Sequence, residues 1–504
     1  MTLINTIASW WMKKRMHQIE LFMKYPDDVQ NECLRKLIHS AKDTEWGKEH
    51  DYTNIHSYDQ FRTNVPVQDY DSLKPYIDKA RKGEQNVLWN TEIKWFAKSS
   101  GTTNDKSKYI PVSKESLEEC HYNGGRDMIA IYCSLYPETH LFTGKNLALG
   151  GSLTTDHFGN FESQNGDLSA IIMNNLPMWA EFFRAPDLSI ALMDKWDEKL
   201  EKLSQAIANE NMVSLAGVPS WMLLIVKRVL EITGKSSIAE VWPGLEVYFH
   251  GGVNFTPYRE QFKKLFNKPD VNFMELYNAS EGFFGIQDQR DSSELLLMLD
   301  YGIFYEFMPI DELGVAGSKA LSLSEVSLGT TYALLITTNA GLWRYMVGDT
   351  IKFTSLNPFR FKITGRTKHF MNAFGEEIVV DNADKALAIA CEKSGAQIRE
   401  YTAAPIYMNG NGSGAHEWLI EFEVQPSSLE HFIEMLDNAL KSINSDYEAK
   451  RYESMILKKP VVKSLPQGTF YKWFESKNKL GGQHKVPRLS NERKHVEEIA
   501  ALVN

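Results

Sequence analysis

A cluster of small hydroxylated residues follows an apolar run early in the chain. Residues 95–99 read WFAKS, which predicts a strand ending in a buried environment, and the cluster itself is Ser99, Ser100, Gly101, Thr102 and Thr103. Hydroxyl and backbone N–H groups at one turn form a concave set of donors that suits a polyphosphate. The central glycine lets a ligand approach closely or lets the backbone adopt positive φ. The alternative is a Ser/Thr-rich hairpin turn without a ligand.

Two other short motifs place a carboxylate next to a glycine at a predicted strand end. In YNASEG, Glu281 follows the hydroxyl of Ser280, which is a hard-oxygen arrangement suited to Mg²⁺. In RYMVGD, Asp349 follows Gly348, and a carboxylate there can accept two ribose hydroxyls. An aspartate after glycine is also a common turn former, and Glu281 is equally compatible with an exposed surface. Each motif alone therefore allows a purely structural role.

The elements that must position these motifs alternate between strand and helix. Residues 245–250 predict a strand that ends on Gly251 and Gly252, residues 258–266 a helix, and residues 271–276 a strand that ends at YNASEG. Repetition of strand, small-residue turn and helix is typical of α/β layers with a site at the strand ends.

The length of 504 residues exceeds what one hydrophobic core usually serves. Residues 1–90 show helical spacing, residues 304–353 predict short strands of an antiparallel or barrel-like subdomain, and residues 355–358 (SLNP) predict a linker. We therefore predict an α/β fold with α+β elements. A large N-terminal domain with layered sheets and the barrel-like subdomain covers 1–355, and a smaller C-terminal α/β domain covers 356–504. The smaller domain is predicted to contain two strand-and-helix pairs, 361–363 with 380–392 and 418–424 with 429–440.

The composition predicts a cytoplasmic enzyme. The chain is 43% hydrophobic and 24% charged, as in ordinary soluble proteins, and its net charge of −10 argues against general nucleic-acid binding. Four widely spaced cysteines without C-x-x-C indicate neither a zinc site nor a disulfide framework. The apolar runs are far shorter than the roughly 20 residues of a membrane-spanning helix. Basic residues 13–15 follow the first apolar run, so no signal peptide is predicted.

Taken together, SSGTT, YNASEG and RYMVGD resemble the three nucleotide-binding motifs of the auxin-responsive acyl acid–amido synthetase family. Those enzymes conjugate auxin or jasmonate to amino acids and belong to the adenylate-forming superfamily of firefly luciferase and acyl-CoA synthetases. The resemblance extends over nearly the whole chain and includes residues 365–368 (GRTK) and 481–488 (GGQHKVPR). The short chain, without plant-like insertions, resembles a bacterial branch.

The resemblance implies a nucleotide-binding role for each matched position. The hydroxylated cluster, residues 99–103, would hold the ATP phosphates, with Lys106 or Lys108 nearby. Asp349 would bind the ribose hydroxyls with help from Arg366. The residues implied to flank the adenine are Gly251, Gly252, Asn278, Ala279 and Ser280.

Catalysis is implied for Lys485, Glu281 and Ser100. Glu281 would bind Mg²⁺, and Lys485 would be the lysine of a mobile C-terminal domain that reaches the carboxylate and α-phosphate during adenylation. Two positions depart from the family pattern: Met346 replaces a polar residue of the third motif, and Thr367 stands where the wider superfamily carries an acidic hinge residue.

The resemblance implies an ATP- and Mg²⁺-dependent ligase that adenylates a small carboxylic acid and transfers the acyl group to an amine, an amino acid. Thioester formation with coenzyme A, or a non-catalytic nucleotide-binding interaction protein, are the alternatives. The expected partners are the two small substrates, without nucleic acid or membrane, and the expected state is a monomer. Candidates for the acyl pocket, each equally explained as core, are Trp179, Val218, Pro219 and Trp221.

Overall fold

The computed structural model provides the bounds of the helices and strands. It describes residues 3–99, 108–176, 182–252, 255–315, 317–367, 370–371, 376, 378–406, 414–444, 447–448, 451, 457–477, 485–490 and 492–503. The α-helices are α1 Leu3–Lys24, α2 Pro26–Ala41, α3 Glu45–Glu49, α4 Tyr58–Asn64, α5 Tyr70–Arg81, α6 Tyr122–Leu135, α7 Leu168–Asn174, α8 Leu188–Ala191, α9 Trp196–Ala208, α10 Pro219–Thr233, α11 Ile238–Val241, α12 Thr256–Phe266, α13 Val380–Ser394, α14 Leu429–Ile443, α15 Thr469–Ser476 and α16 Lys494–Ala501. The strands are β1 Trp95–Ser99, β2 Lys108–Val112, β3 Lys145–Ala148, β4 Leu153–Phe158, β5 Phe161–Gly166, β6 Arg184–Ala185, β7 Met212–Gly217, β8 Val247–Gly251, β9 Asn272–Ala279, β10 Gly282–Ile286, β11 Leu295–Leu297, β12 Ile303–Pro309, β13 Thr331–Thr338, β14 Tyr345–Leu356, β15 Phe359–Arg366, β16 Phe370–Met371, β17 Ile378–Val379, β18 Gln397–Ile406, β19 Ala415–Val424 and β20 Val461–Leu465.

One large sheet organises the N-terminal part of the chain. Within the described residues it contains eleven strands in the order β12-β13-β14-β15-β11-β10-β9-β8-β7-β3-β6. Strands β6, β3, β7, β8 and β9 are parallel, so their carboxyl ends lie at one edge. We call this edge the site edge. Ligands of α/β sheets bind outside the carboxyl ends of the strands, which makes this edge the expected location of a site.

Helices cover the parallel half of the large sheet. Along β8, Val247 and Phe249 pack into one core, whereas Tyr248 packs into a second core with residues of α9, α10 and α12. A strand buried on both faces requires a continuous apolar run, and residues 247–249 provide one. The α/β class predicted from alternating strands and helices is thus observed.

The antiparallel strands, predicted as a barrel-like subdomain, are continuous with the parallel half of the large sheet. Strand β15 pairs with β14 on one side and with β11 on the other. The prediction of a linker at 355–358 was wrong, because these residues include the end of β14 and the turn to β15. Assigning residues 361–363 to the C-terminal domain was wrong for the same reason. We propose that the boundary between the two parts lies after Arg366, since a split at 355 would cut β14.

A smaller sheet contains Ser99, the first residue of the hydroxylated cluster. Within the described residues its strand order is β2-β1-β5-β4. Strands β1 and β2 are antiparallel, and Ser99 is paired directly with Lys108. Residues 100–107, between these two ends, lie outside the described residues. The residues on either side of 100–107 are therefore held side by side.

The C-terminal part has its own sheet and core. Strands β18 and β19 are antiparallel, β19 and β20 are parallel, and α13 and α14 pack against them. The predicted pair 418–424 with 429–440 corresponds to β19 and α14, and the helix predicted at 380–392 corresponds to α13. In the part of the chain that the structure describes, no helix is both long and apolar enough to cross a membrane.

Arg344, the first residue of RYMVGD, has a structural role. It is 4% exposed, and its guanidinium binds Glu306 through Nε at 3.0 and 2.9 Å. Its Nη1 also donates to the carbonyls of Arg62 at 2.9 Å and Val65 at 2.7 Å. Because both charges of the pair are buried, each depends on the other for compensation.

Replacing Arg344 with methionine is expected to destabilise the N-terminal part by about 3–5 kcal/mol, because Glu306 would remain buried without its cation. Chemical denaturation followed by tryptophan fluorescence measures this change. The matched control is Arg35→Met, which breaks an ion pair with Glu32 on the surface of α2, where side chains are 76% and 41% exposed. Arg35→Met should lower the free energy of unfolding by no more than about 1 kcal/mol. Equal losses in the two variants would contradict the assignment.

Candidate functional site

Asp349 is held by two neighbouring strands at the site edge. It is paired with Arg366 across β14 and β15, and Arg366 Nε lies 2.7 Å from Asp349 Oδ1. The hydroxyl of Tyr277, on β9, donates to Asp349 Oδ2 at 2.6 Å. Burial, and then the charge of Asp349, raise the pKa of Tyr277 well above its ordinary value, so this phenol remains a donor. The carboxylate is thereby fixed in orientation and is 15% exposed.

Glu281 lies in the tight turn that joins β9 to β10. Ala279 and Gly282 are paired, so Ser280 and Glu281 alone make the turn. Burial raises the pKa of Glu281, and the charge of Lys108 at the start of β2 opposes that rise. Lys108, which is paired with Ser99 across β1 and β2, therefore belongs to the electrostatic environment of Glu281.

The two glycines at the end of β8 leave room for neighbouring groups. A Cβ on Gly251 would lie 2.5 Å from the carbonyl oxygen of Leu276 and 3.4 Å from Asn278 Oδ1. Gly252 has φ +81°, and a Cβ there would lie 3.3 Å from Val218 and 3.4 Å from Lys485 Nζ. The space at Gly251 therefore requires glycine, and the left-handed backbone at Gly252 favours it.

Lys485 enters the site from the C-terminal part. Burial and the charge of Arg366 lower the pKa of its ammonium to about 8, while Asp349 and Glu281 act in the opposite direction. The structure thus brings together four predicted residues far apart in the sequence: Gly252, Glu281, Asp349 and Lys485. The arrangement places the cations of Lys485 and Arg366 among carboxylates and glycines near the carboxyl ends of parallel strands.

Other predicted residues are located differently or lie outside the described residues. Ser100, Gly101, Thr102, Thr103, Lys106 and Trp179 are outside them. Pro219 is the first residue of α10, and Val218 precedes it beside Gly252. Trp221 is 8% exposed and packs in the second core. Of the predicted acyl-pocket residues that the structure describes, Val218 lies beside Gly252.

Family models match most of the chain. The model of the GH3 family N-terminal domain matches residues 15–271, that of the central domain residues 296–366, and that of the C-terminal domain residues 381–494. The chain belongs to the GH3 family. GH3 amido synthetases are acid–amino acid ligases, and ATP-dependent conjugation of an acid to an amino acid is the family activity.

Relatives of known function align with nearly the whole GH3 chain. Indole-3-acetic acid-amido synthetase GH3.3 of Arabidopsis thaliana is 23% identical over 94% of this chain and 91% of its own length. The 4-substituted benzoates-glutamate ligase GH3.12 of the same plant is 22% identical over 94% and 95%.

Solved structures share the fold. The acyl acid amido synthetase AtGH3.15, in complex with 2,4-DB, superposes with a TM-score of 0.81 at 16% identity, covering 98% of this chain and 96% of its own. A 2-hydroxyisobutyryl-CoA ligase in the postadenylation state superposes with a TM-score of 0.62 at 13% identity, covering 95% and 92%. The predicted fold, with a large N-terminal part and a smaller C-terminal part, is confirmed.

Contacts between the two parts of this GH3 chain hold Lys485 at the site edge. Gln261 on α12 donates from Nε2 to the carbonyl of Ile398 on β18 at 2.8 Å. Arg488, three residues after Lys485, donates to the hydroxyl of Tyr258 at 3.2 Å. Lys227 on α10 and Glu423 on β19 form an ion pair. The C-terminal part is thus attached to α10 and α12 on both sides of Lys485.

Two polar residues at this edge were not predicted from the sequence. Tyr277 opens the YNASEG motif, so the signal was present, but its role depends on Asp349 of a distant strand. His250 immediately precedes the glycine pair, is 1% exposed, and neither ring nitrogen has a hydrogen-bond partner among the described residues. Its ring stacks on Phe255 at 3.9 Å, and burial lowers its pKa well below the ordinary value. No local sequence signal distinguishes this histidine from a core residue.

Proposed function

We propose that this GH3 chain is an ATP-dependent ligase that adenylates a small carboxylic acid and transfers the acyl group to an amine, an amino acid. The observation that carries the proposal is the position of Lys485, whose Nζ lies beside Gly252 in the electrostatic environment of Asp349 and Glu281. A lysine from the C-terminal part has no packing reason to be buried among these groups. A site that binds and activates an anion provides one.

The chemistry of the first step explains why this lysine is needed. A carboxylate must approach the α-phosphate of ATP, and both groups are anionic. The ammonium of Lys485 would neutralise charge as the new bond forms and pyrophosphate leaves. Gly252, which has no side chain, leaves the space that Nζ and the α-phosphate would share.

Recognition of the nucleotide is assigned to residues around this point. Asp349, oriented by Tyr277 and Arg366, would accept the ribose hydroxyls. The hydroxylated cluster, residues 99–103, would hold the triphosphate. The adenine would lie against the ends of β8 and β9, formed by Gly251, Gly252, Asn278, Ala279 and Ser280.

Magnesium fits the donors that are present. Among the described residues, no group of three or more His, Cys, Asp or Glu side chains is arranged to hold a metal ion by itself. Mg²⁺ in nucleotide sites is commonly bound by one or two carboxylates together with phosphates, and Glu281 would be that carboxylate. The metal would supply positive charge to the phosphates.

The Glu281→Gln variant is expected to raise the Mg²⁺ concentration needed for half-maximal activity at least tenfold, because it loses the ligand charge but keeps the shape of the turn. Acid-dependent pyrophosphate exchange measured across an Mg²⁺ titration tests this. Glu260→Gln, on the exposed face of α12, serves as the control. An Mg²⁺ requirement equal to that of the wild type would remove Glu281 from the metal site.

The relatives suggest the class of acid. Their names specify indole-3-acetic acid and 4-substituted benzoates, which are aromatic carboxylates. We propose an aromatic acid for this chain as well, bound beside Val218 and Pro219, with Trp179 as a further pocket residue. A pyrophosphate-exchange screen with indole, aryl and aliphatic carboxylates tests the class.

Thioester formation with coenzyme A is the second candidate, because the fold is shared with a CoA ligase. The two are separated by mixing enzyme, ATP and an active acid with either coenzyme A or the amino acids. Mass spectrometry of the products then distinguishes thioester from amide. Absence of acid-dependent pyrophosphate release with every acid would contradict both and favour a non-catalytic nucleotide-binding protein.

A further inference from the structure

A cavity lies between α10, α12 and the C-terminal part, and the site glycines are not among its lining residues. It is a shallow cavity that opens to solvent. Apolar side chains make most of its wall: Trp221, Leu224, Tyr258, Phe470 and Phe474. The cavity is close to the site in the sequence. Its residue Trp221 follows Val218, which lies beside Gly252, by three positions. Its residue Tyr258 contacts Arg488, which follows Lys485 by three positions.

Arg399 supplies a positive charge to this wall. Its guanidinium is 3.6 Å from Glu421 Oε1, and its side chain is 30% exposed. Both Glu421 oxygens already accept backbone N–H groups, from Gly468 at 2.8 Å and from Phe470 at 3.2 Å. Within the part of the chain that the structure describes, the Arg399 guanidinium donates no hydrogen bond. Its planar set of donors is thus available to a ligand in the cavity.

We propose that this cavity binds a small apolar carboxylate. The Arg399 guanidinium matches a carboxylate in bidentate geometry, and the aromatic wall covers an apolar body. Glu421 and Glu400 also line the cavity, so the local charge favours a singly charged ligand over a phosphate ester. The acid substrate, a free amino acid and the acyl–amino acid conjugate all share this chemistry.

Binding there would be coupled to the position of Lys485. Trp221 and Tyr258 belong to the N-terminal part, whereas Arg399 and Phe470 belong to the C-terminal part, so the complete cavity exists only in the observed arrangement. A ligand that binds one arrangement alone stabilises it by the factor 1 + [L]/Kd, about elevenfold at ten times Kd. The ligand would therefore retain Lys485 beside Gly252 and slow the step that needs the C-terminal part to move. This effect rests on the proposed function, whereas the binding itself does not.

Calorimetric titrations of the full-length protein test the binding. The probes are phenylacetate, phenylalanine and N-acetylphenylalanine, with phenethylamine as a ligand that lacks the carboxylate. Arg399→Met removes the guanidinium, and Leu224→Trp fills the cavity while leaving Arg399 intact. The matched control is Arg228→Met on α10, whose ion pairs with Glu201 and Glu231 lie outside the cavity. Thermal unfolding verifies that each variant is folded.

At least one carboxylate should bind the wild type and Arg228→Met with equal affinity. Its affinity for Arg399→Met and for Leu224→Trp should be at least tenfold lower. The carboxylate that binds most tightly identifies the source as acid, amino acid or conjugate. Equal affinity in wild type and Arg399→Met, or no binding of any carboxylate to wild type, would overturn the proposal, whether or not the enzyme forms pyrophosphate. In an active enzyme the ligand should slow amide formation and not pyrophosphate exchange, and the slowing should disappear in Arg399→Met. Unchanged amide formation at saturating ligand would refute the coupling.

Discussion

Replacing Lys485 with alanine is expected to slow adenylate formation by about two orders of magnitude or more, the usual scale for loss of one preorganised charge partner. The reason is that Nζ lies beside Gly252, where the carboxylate and the α-phosphate would meet. Transfer of the acyl group from a preformed acyl-adenylate to the amine should be far less affected, because the lysine acts before that step. Pyrophosphate exchange measures the first step, and rapid mixing of synthetic acyl-adenylate with amine measures the second.

The control for Lys485→Ala is Lys459→Ala, which removes an exposed lysine of the C-terminal part. It should leave both steps at the wild-type rate. Equal losses in both steps for Lys485→Ala, with folding intact, would argue against movement of the C-terminal part. No loss in either step would exclude Lys485 from the site.

The rate of adenylation should depend on pH through the protonation of the Lys485 ammonium. Burial lowers its pKa to about 8, below the ordinary lysine value, so the charged form predominates at neutral pH and is lost as the pH rises through 8. Because the charged form neutralises the reacting anions, kcat/KM for adenylation should fall above pH 8, since that ratio reports the free enzyme. In Lys485→Arg the guanidinium stays charged, and any remaining activity should lack this decline.

Replacing Gly252 with alanine is the second substitution with a large expected effect. The new methyl group would lie 3.4 Å from Lys485 Nζ and 3.3 Å from Val218, at a backbone φ of +81°. Displacement of Nζ should slow adenylation at least tenfold, in addition to a strain of about 1 kcal/mol from the left-handed backbone. Valine, which is branched at Cβ, should reduce the rate further.

Gly234 provides the matched control for this substitution. It ends α10 with φ +65°, and a Cβ there meets nothing within 4 Å. Gly234→Ala should therefore lower stability by a similar amount, about 1 kcal/mol, without changing the rate of adenylation. Similar rates in the two alanine variants would show that Gly252 acts only through backbone strain.

Local patterns were sufficient to predict the elements around the site. The helix predicted at 258–266 is α12, Thr256–Phe266, and the strands predicted at 245–250 and 271–276 are β8 and β9 within about three residues. Apolar periodicity is a property of adjacent residues, so these predictions required no knowledge of the tertiary structure. The motifs at Glu281 and Asp349 were likewise recognised from short segments.

Predictions that depended on distant pairing failed. Ser, Asn and Pro at 355–358 are typical of both linkers and turns, and the difference lies in the pairing of β15 with β11, whose partner residues are more than 60 positions away. The salt bridge between Asp349 and Arg366 follows from the register of β14 and β15, which contains two irregularities. Among the described residues, the Arg399 guanidinium donates no hydrogen bond and the His250 ring nitrogens have no hydrogen-bond partner. Both features arise from packing between separate elements, and no local spacing of residues predicts them.

The pairing of Asp349 with Arg366 has a mechanical consequence. Arg366 ends β15, so the residue that holds the proposed ribose ligand is also the one at which the chain leaves the large sheet. If the C-terminal part rotated about the residues that follow Arg366, the hairpin of β14 and β15 would keep its position in the large sheet. The rotation would then break the contacts of α10 and α12 with β18 and β19. The contacts of Asp349 with the nucleotide would be retained.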